Sequence, residues 1–245
     1  MKTSIINLIA LAIMGWQATA SAAIFYQGTV TDPGGSGTSA GSLVNTTILD
    51  GNTAGMANTM NLSGAGLGNS LQTITVTLNV SGGNNGDLYA YLSYNGTLVP
   101  LLNRIGVSSG NSFGYSGAGL NNVTLSDSAS VNIHAAGNGT LSGSYQADGQ
   151  NISPLSSASS FSSGGGSITL NTTFSGMNPN GNWTLFFADV VSGGGNETLN
   201  GWSMDITAVP EPVNVALGVF AGLFGIAGIF HHFRKRHGAL VAVRV

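Results

Sequence analysis

Cysteine is absent from the 245 residues, so neither a disulfide framework nor thiolate chemistry is available, and the compartment has to be read from targeting signals instead. Charge is nearly absent too. Only 6% of the side chains are charged, which excludes charge-laced helices and coiled coils. Residues 23–208 hold one base, Arg104, against eight acids (Asp32, Asp50, Asp87, Asp127, Asp148, Asp189, Glu197 and Asp205), a net 1 − 8 = −7. Nucleic acid is excluded as a partner, because binding it needs clustered Lys and Arg to displace counterions. Histidine is scarce: His134 is the only one in that segment, so a multi-histidine zinc site cannot be built there. A nucleophile needing an imidazole base has that one candidate, and its surroundings, VNIHAAGNG, read as a strand end carrying a surface or capping histidine.

What the chain does contain is glycine, at 38 positions, with abundant Ser, Thr and Asn. These residues favour turns and disfavour helices, so the expectation is an all-β body of short strands. Ile74, Val76, Leu78 and Val80 alternate with Thr73, Thr75, Thr77 and Asn79, the period of a half-buried strand. LYAYLSY, the Asn95-Gly96 turn and TLVPLL read as a hairpin, with Pro100 marking an edge or bulge. TLFFADV is another strand, SGGGNET another turn, and LNGWSMDITAV a final strand. Trp183 and Trp202 are expected in one sandwich core. Residues 23–68 should supply edge strands and loops, and Asn103 to Gly166 long loops interrupted by short strands.

Both ends carry targeting signals. Lys2, the apolar stretch Ile5 to Trp16 and the small residues ATASAA read as a signal peptide over 1–22, with small-x-small cleavage patterns ending at Ala20 and Ala22 for signal peptidase. At the other end, the eighteen residues 213–230 have no formal charge. As a helix they would rise about 27 Å, close to the hydrocarbon thickness of a bilayer. Arg234, Lys235 and Arg236 follow as a cationic stop, so the expectation is a transmembrane helix in the cytoplasmic membrane with a basic tail, 231–245. Pro210 and Pro212 bracket Glu211 just before it, holding the backbone extended and accessible to an enzyme.

The order Val209-Pro210-Glu211-Pro212, Gly-rich apolar helix, Arg-rich end resembles the PEP-CTERM sorting signal over residues 209–245. The resemblance implies transient membrane anchoring, processing by an exosortase, and release to the cell surface or an extracellular polysaccharide layer of the biofilm kind. A second resemblance spans about residues 69–208. LQTITVTLNVS, GDLYAYL with YNGTLVPLLNR, GSYQADG, and NPNGNWTLFFAD with LNGWSMDI are similar to the P domain (Homo B domain) that accompanies subtilisin-like proprotein convertases. It implies a jelly-roll β-sandwich without peptidase motifs of its own, and offers an alternative role as an accessory or stabilising module of a subtilisin-like proteolytic system.

No cofactor is expected; calcium is retained as a candidate, with Asp87, Asp127, Asp148 and Asp189 as hard oxygen donors against the simpler reading that they cap turns. No catalytic residue is assigned. Gly37-Thr38-Ser39-Ala40-Gly41 and Gly106-Val107-Ser108-Ser109-Gly110 match the nucleophile-elbow pattern without the helix it needs, and Gly35 to Ala40 mimics a dinucleotide loop without its βαβ unit. Ten Asn-x-Ser/Thr sequons, at Asn45, Asn61, Asn79, Asn95, Asn122, Asn138, Asn151, Asn171, Asn182 and Asn196, are read as the mark of a hydroxyl- and amide-rich surface. The functional expectation is therefore an exported, non-enzymatic surface or matrix protein; a carbohydrate-active enzyme, which needs paired carboxylates across a cleft, ranks last.

Overall fold

The alternation from Ile74 to Val80 becomes the middle of a 13-residue inner strand of a β-sandwich, shown by a computed structural model that describes residues 23–26, 45–62, 70–209 and 220–226. Ten strands occur among them: β1 Ala23–Tyr26, β2 Thr46–Ile48, β3 Met56–Asn61, β4 Ser70–Gly82, β5 Leu88–Tyr94, β6 Thr97–Asn103, β7 Leu120–Leu125, β8 Leu141–Tyr145, β9 Asn182–Asp189 and β10 Glu197–Val209. One sheet has the order β1-β10-β4-β7-β8, with β2 also pairing β10; the other has the order β3-β9-β5-β6. Every pairing is antiparallel except that of β7 with β8.

Binary patterning sets the two inner faces. Leu71, Ile74, Val76, Leu78 and Val80 of β4 are buried while the intervening Thr and Asn face outward. Leu88, Ala90 and Leu92 of β5 meet Trp183, Leu185 and Phe187 of β9 and Leu199, Trp202, Met204 and Ile206 of β10 in one core. Trp183 is the centre of an aromatic cluster: Tyr94 stacks on it at 4.1 Å and Phe174 meets it edge-on at 5.0 Å. Both expected tryptophans satisfy their indole N–H inside the core, Trp183 by donating to the Pro179 carbonyl at 2.9 Å and Trp202 by donating to Asn58 Oδ1 at 2.6 Å.

The expected hairpin is β5 and β6. Its turn residues Asn95 and Gly96 both have positive φ, 49° and 78°, as a two-residue turn matched to strand twist requires. Pro100 lies on an edge strand and pairs with Tyr91 directly beside a register shift that leaves Leu101 as the extra residue, so it is an edge residue that flanks a bulge. The final strand does more than close the sheet: β10 pairs with β1, β2 and β4. SGGGNET is accordingly no hairpin turn, since it carries the chain from β9 in one sheet to β10 in the other. The strand β3 was not named from sequence, because Asn58 interrupts its apolar positions; that side chain is buried and receives the Trp202 indole N–H.

The chain divides into two units, Met1–Val209 and Pro210–Val245. In the second unit, residues 220–226 are helical, with Phe220, Leu223, Phe224 and Ile226 exposed. Among the described residues no helix is long and apolar enough to cross a membrane. The signal peptide with Ala20 and Ala22, the motif residues Pro210, Glu211 and Pro212, the basic Arg234, Lys235 and Arg236, and the Gly35 to Gly41 stretch lie outside the described residues.

Candidate functional site

Two of the four acids held as candidate calcium ligands come together. Asp87 closes a single 3-10 turn, Asn85–Asp87, just before β5, and Asp189 ends β9 beside it, paired in register with Leu88. A third acid, Glu197, begins β10 at the same end of the sandwich. Asp189 and Glu197 are 0% exposed and Asp87 4%, with the exposed Asp50 nearby in the turn after β2. The surrounding loops supply donors. Asn84 gives its backbone N–H to Glu197 Oε1 at 3.2 Å and its amide to Asp87 Oδ2 at 3.0 Å, and the Val191 N–H reaches Asp189 Oδ1 at 3.0 Å. Gly83, at φ 56°, is obligatory here: a Cβ would lie 1.7 Å from Glu197 Oε1.

Asp189 Oδ2 and Glu197 Oε2 remain buried without a hydrogen-bond partner. Among the described residues the sole ion pair is His134 with Asp148; Arg104 acts on Asp87 through its charge without pairing with any acid of this cluster. Burial, then the charge of Asp189, pushes the Glu197 carboxyl up to about 8. Burial likewise raises Asp189, against the N–H groups of Val191 and Gly51, and raises Asp87, against the Asn84 amide. Two facing acids in low dielectric cannot both ionise, so at neutral pH Asp189 and Glu197 share one proton. Among the described residues, no group of three His, Cys, Asp or Glu side chains is arranged to hold a metal ion.

Asp127 and Asp148 lie elsewhere. Asp127 accepts the Leu170 and Asn171 N–H groups at 3.0 and 2.7 Å, fixing the start of the short helix α1, Leu170–Phe174. Asp148 belongs to a second buried polar centre, in the region expected to be loop. There His134, read from sequence as a surface or capping residue, is 0% exposed. Its Nδ1 lies 2.7 Å from Asp148 Oδ2 and its Nε2 lies 2.8 Å from the Val107 carbonyl. The correction has a simple cause. Asn132, bonded to the Ala147 and Asp148 carbonyls and accepting the His134 N–H, turns the chain inward at a point that looked like a strand end. Asp148 and the Val107 carbonyl raise the imidazole pKa against the opposing effect of burial, which is the largest single influence on it. The Gln150 amide nitrogen also lies 3.1 Å from Nδ1, so both ring nitrogens are taken up by partners inside the protein and neither is left for an external substrate.

The serine of the second elbow-like stretch, Ser108, forms a tight bridge to Asn111, and its hydroxyl does not bond His134. Arg104, the one base of residues 23–208, is also buried, its guanidinium donating to the Gly86 and Ser112 carbonyls at 3.3 and 3.4 Å.

Glu197 was missed as a site residue, although a signal existed. Asp189 falls in phase with Trp183, Leu185 and Phe187, and Glu197 in phase with Leu199, so alternation alone points both acids inward. Comparison with known proteins returned no matching family model, no matching curated protein and no matching solved structure.

Proposed function

We propose that the chain is an exported, non-enzymatic cell-surface or matrix protein whose jelly-roll body is cargo and whose end is a PEP-CTERM sorting signal. The observation that carries this reading is the position of the motif. Strand β10 ends at Val209, the compact unit ends there too, and Pro210-Glu211-Pro212 begins the next unit, its prolines lacking the backbone N–H that further strand pairing needs. The apolar run 213–230 and Arg234, Lys235 and Arg236 behind it supply the membrane hold that such processing needs.

The body suits an extracellular polysaccharide setting, being net acidic with its one base buried and its outer surface made of hydroxyls and amides. The orders β1-β10-β4-β7 and β3-β9-β5-β6 are those of two interleaved Greek keys, which supports the jelly-roll reading. The His134 ring, sealed and doubly bonded, favours a structural over a catalytic role.

The test is the intact mass of the mature chain recovered from its host. The expected mass begins after Ala20 or Ala22 and lacks the basic tail. A full-length chain retaining residues 1–22 and 231–245 overturns the sorting reading, and co-purification of a subtilisin-like peptidase in place of polysaccharide supports the accessory-module alternative.

A further inference from the structure

The outer faces of the two sheets differ: the β10-β4-β7 face carries the exposed Asp205, whereas the face of the four-stranded sheet carries no charge. On the β10-β4-β7 face the exposed rows are hydroxyl and amide ladders: Thr77 with Thr124 at 3.0 Å, Asn79 with Asn122 at 3.0 Å, Asn200 with Asn79 at 3.0 Å. On the β3-β9-β5-β6 face three aromatic rings occupy outward positions that alternation would assign to polar groups. Tyr89 and Tyr91 stand on β5 and Phe186 on β9, all partly exposed. Tyr91 and Phe186 are stacked at 4.8 Å and 13°, and Tyr89 lies 6.0 Å from Tyr91 and 6.3 Å from Phe186. The next row is polar: Ser93 pairs in register with Thr184, whose hydroxyl lies 2.9 Å from that of Thr59. Beside Tyr91 this face opens into a cleft of about 350 Å³, lined by Ser93, Asn95, Leu98, Asn182 and Thr184.

Solvent-facing rings on a strand leave apolar area in water, so a ligand that covers them is favoured by that area. The chemistry beside them narrows the ligand. No residue lining the cleft carries a charge at neutral pH, and Arg104 is buried among carbonyls, so an anionic polymer would find no cation on this face. A pyranose has an apolar C–H face for the rings and hydroxyls that can exchange hydrogen bonds with Ser, Thr and Asn.

We propose that the outer face of the four-stranded sheet, centred on Tyr91 and Phe186 with Ser93, Thr184 and Asn182 along the cleft, binds a neutral polysaccharide. This deepens the matrix reading above and rests on it for its extracellular setting. The aromatic row anchors the chain of sugars, and the Ser93–Thr184–Thr59 row sets its orientation.

Native gel electrophoresis of the full chain in neutral detergent, with hydroxyethyl cellulose, dextran, galactomannan or alginate cast into the gel, tests it. At least one neutral polymer is expected to retard the wild type, with alginate giving no retardation. Tyr91→Ala should weaken that binding at least about tenfold, while Phe113→Ala, on an exposed loop away from the face, stays within about twofold. Should Tyr91→Ala fail to fold, Ser93→Arg, which fills the cleft from an outward position, carries the same expected loss. Retardation unchanged in these variants, seen only with alginate, or absent with every neutral polymer overturns the proposal. Host fractionation separates it from the broader reading. A wild-type chain found in the matrix fraction without neutral-polymer binding in the gel sinks the face alone; a chain missing from that fraction sinks the matrix reading.

Discussion

Replacing Glu197 by Gln removes one titrating group from the sandwich while preserving its shape, and the structure dictates how stability should respond to pH. In the unfolded chain this carboxyl titrates near its ordinary 4.5; in the folded chain burial and Asp189 hold the proton until about 8. Between those values the native state binds a proton that the unfolded state has released, so wild-type stability falls as pH rises and levels off above about 8. At about 1.4 kcal/mol per pH unit the ceiling is about 5 kcal/mol, and an effective interior dielectric of about 20 brings the expected loss to a few kcal/mol.

The amide introduced by Glu197→Gln cannot ionise, and it can donate to Asp189 Oδ2 in place of the shared proton, the only donor that oxygen has in the wild type. Thermal unfolding of the full chain in detergent, followed by circular dichroism from pH 4.5 to 8.5, is the assay. The variant should match wild type at the acid end and exceed it by roughly 1–3 kcal/mol near pH 8, a Tm gain of several degrees at about 2–4 °C per kcal/mol. Parallel profiles would refute the shared proton. So would a calcium-dependent Tm rise in the wild type that Glu197→Gln lacks, since a cation held between the two oxygens would stabilise the native state by about 2.7 kcal/mol at a hundred times its Kd.

The remaining predictions concern the core. His134 has its pKa raised by Asp148 and the Val107 carbonyl, so its contribution is fully present below the unfolded value of 6.5 and lost as pH rises through the higher folded value. Nitrogen-15 NMR should show an imidazolium at pH 6.5, and a neutral ring there would contradict the assignment. His134→Ala should cost about 3–5 kcal/mol in denaturant unfolding, because Asp148 is left buried without its cation. Trp183→Ala should cost about 3–5 kcal/mol by removing the ring that Tyr94 and Phe174 pack against, whereas Phe113→Ala, at 75% exposure, should stay within about 0.5 kcal/mol.

The sandwich was legible wherever period-2 alternation met turn chemistry. Ile74 to Val80, the Asn95-Gly96 hairpin and the Trp183 strand carry both signals and appear where expected. What stayed hidden depended on partners distant in sequence. Met56–Asn61 becomes a strand by pairing with Asn182–Phe187, and its buried Asn58 accepts the indole N–H of Trp202, 144 residues away; nothing local announces either partner. His134 presents the same difficulty. VNIHAAGNG contains turn formers and few apolar residues, so local chemistry places it at the surface, yet Asp148 and the Val107 carbonyl meet the two ring nitrogens and Asn132 accepts the His134 backbone N–H.

Polar residues that go inward thus divide into two kinds in this chain, and the distinction bears on where function resides. Around His134 every donor on the ring meets an acceptor, which is how a polar group is made structural. Around Glu197 and Asp189 two buried oxygens receive no donor other than the proton the acids share, and on the outer face of the four-stranded sheet three rings stay partly exposed. Incomplete satisfaction costs stability at both places, and a packed body with so few charges has little reason to retain it without a return in proton uptake or ligand binding. The acids point inward and can act only on the body's own stability. The rings point outward, so contact with another molecule falls to Tyr89, Tyr91 and Phe186, residues that the composition of the chain would have hidden among its ordinary core aromatics.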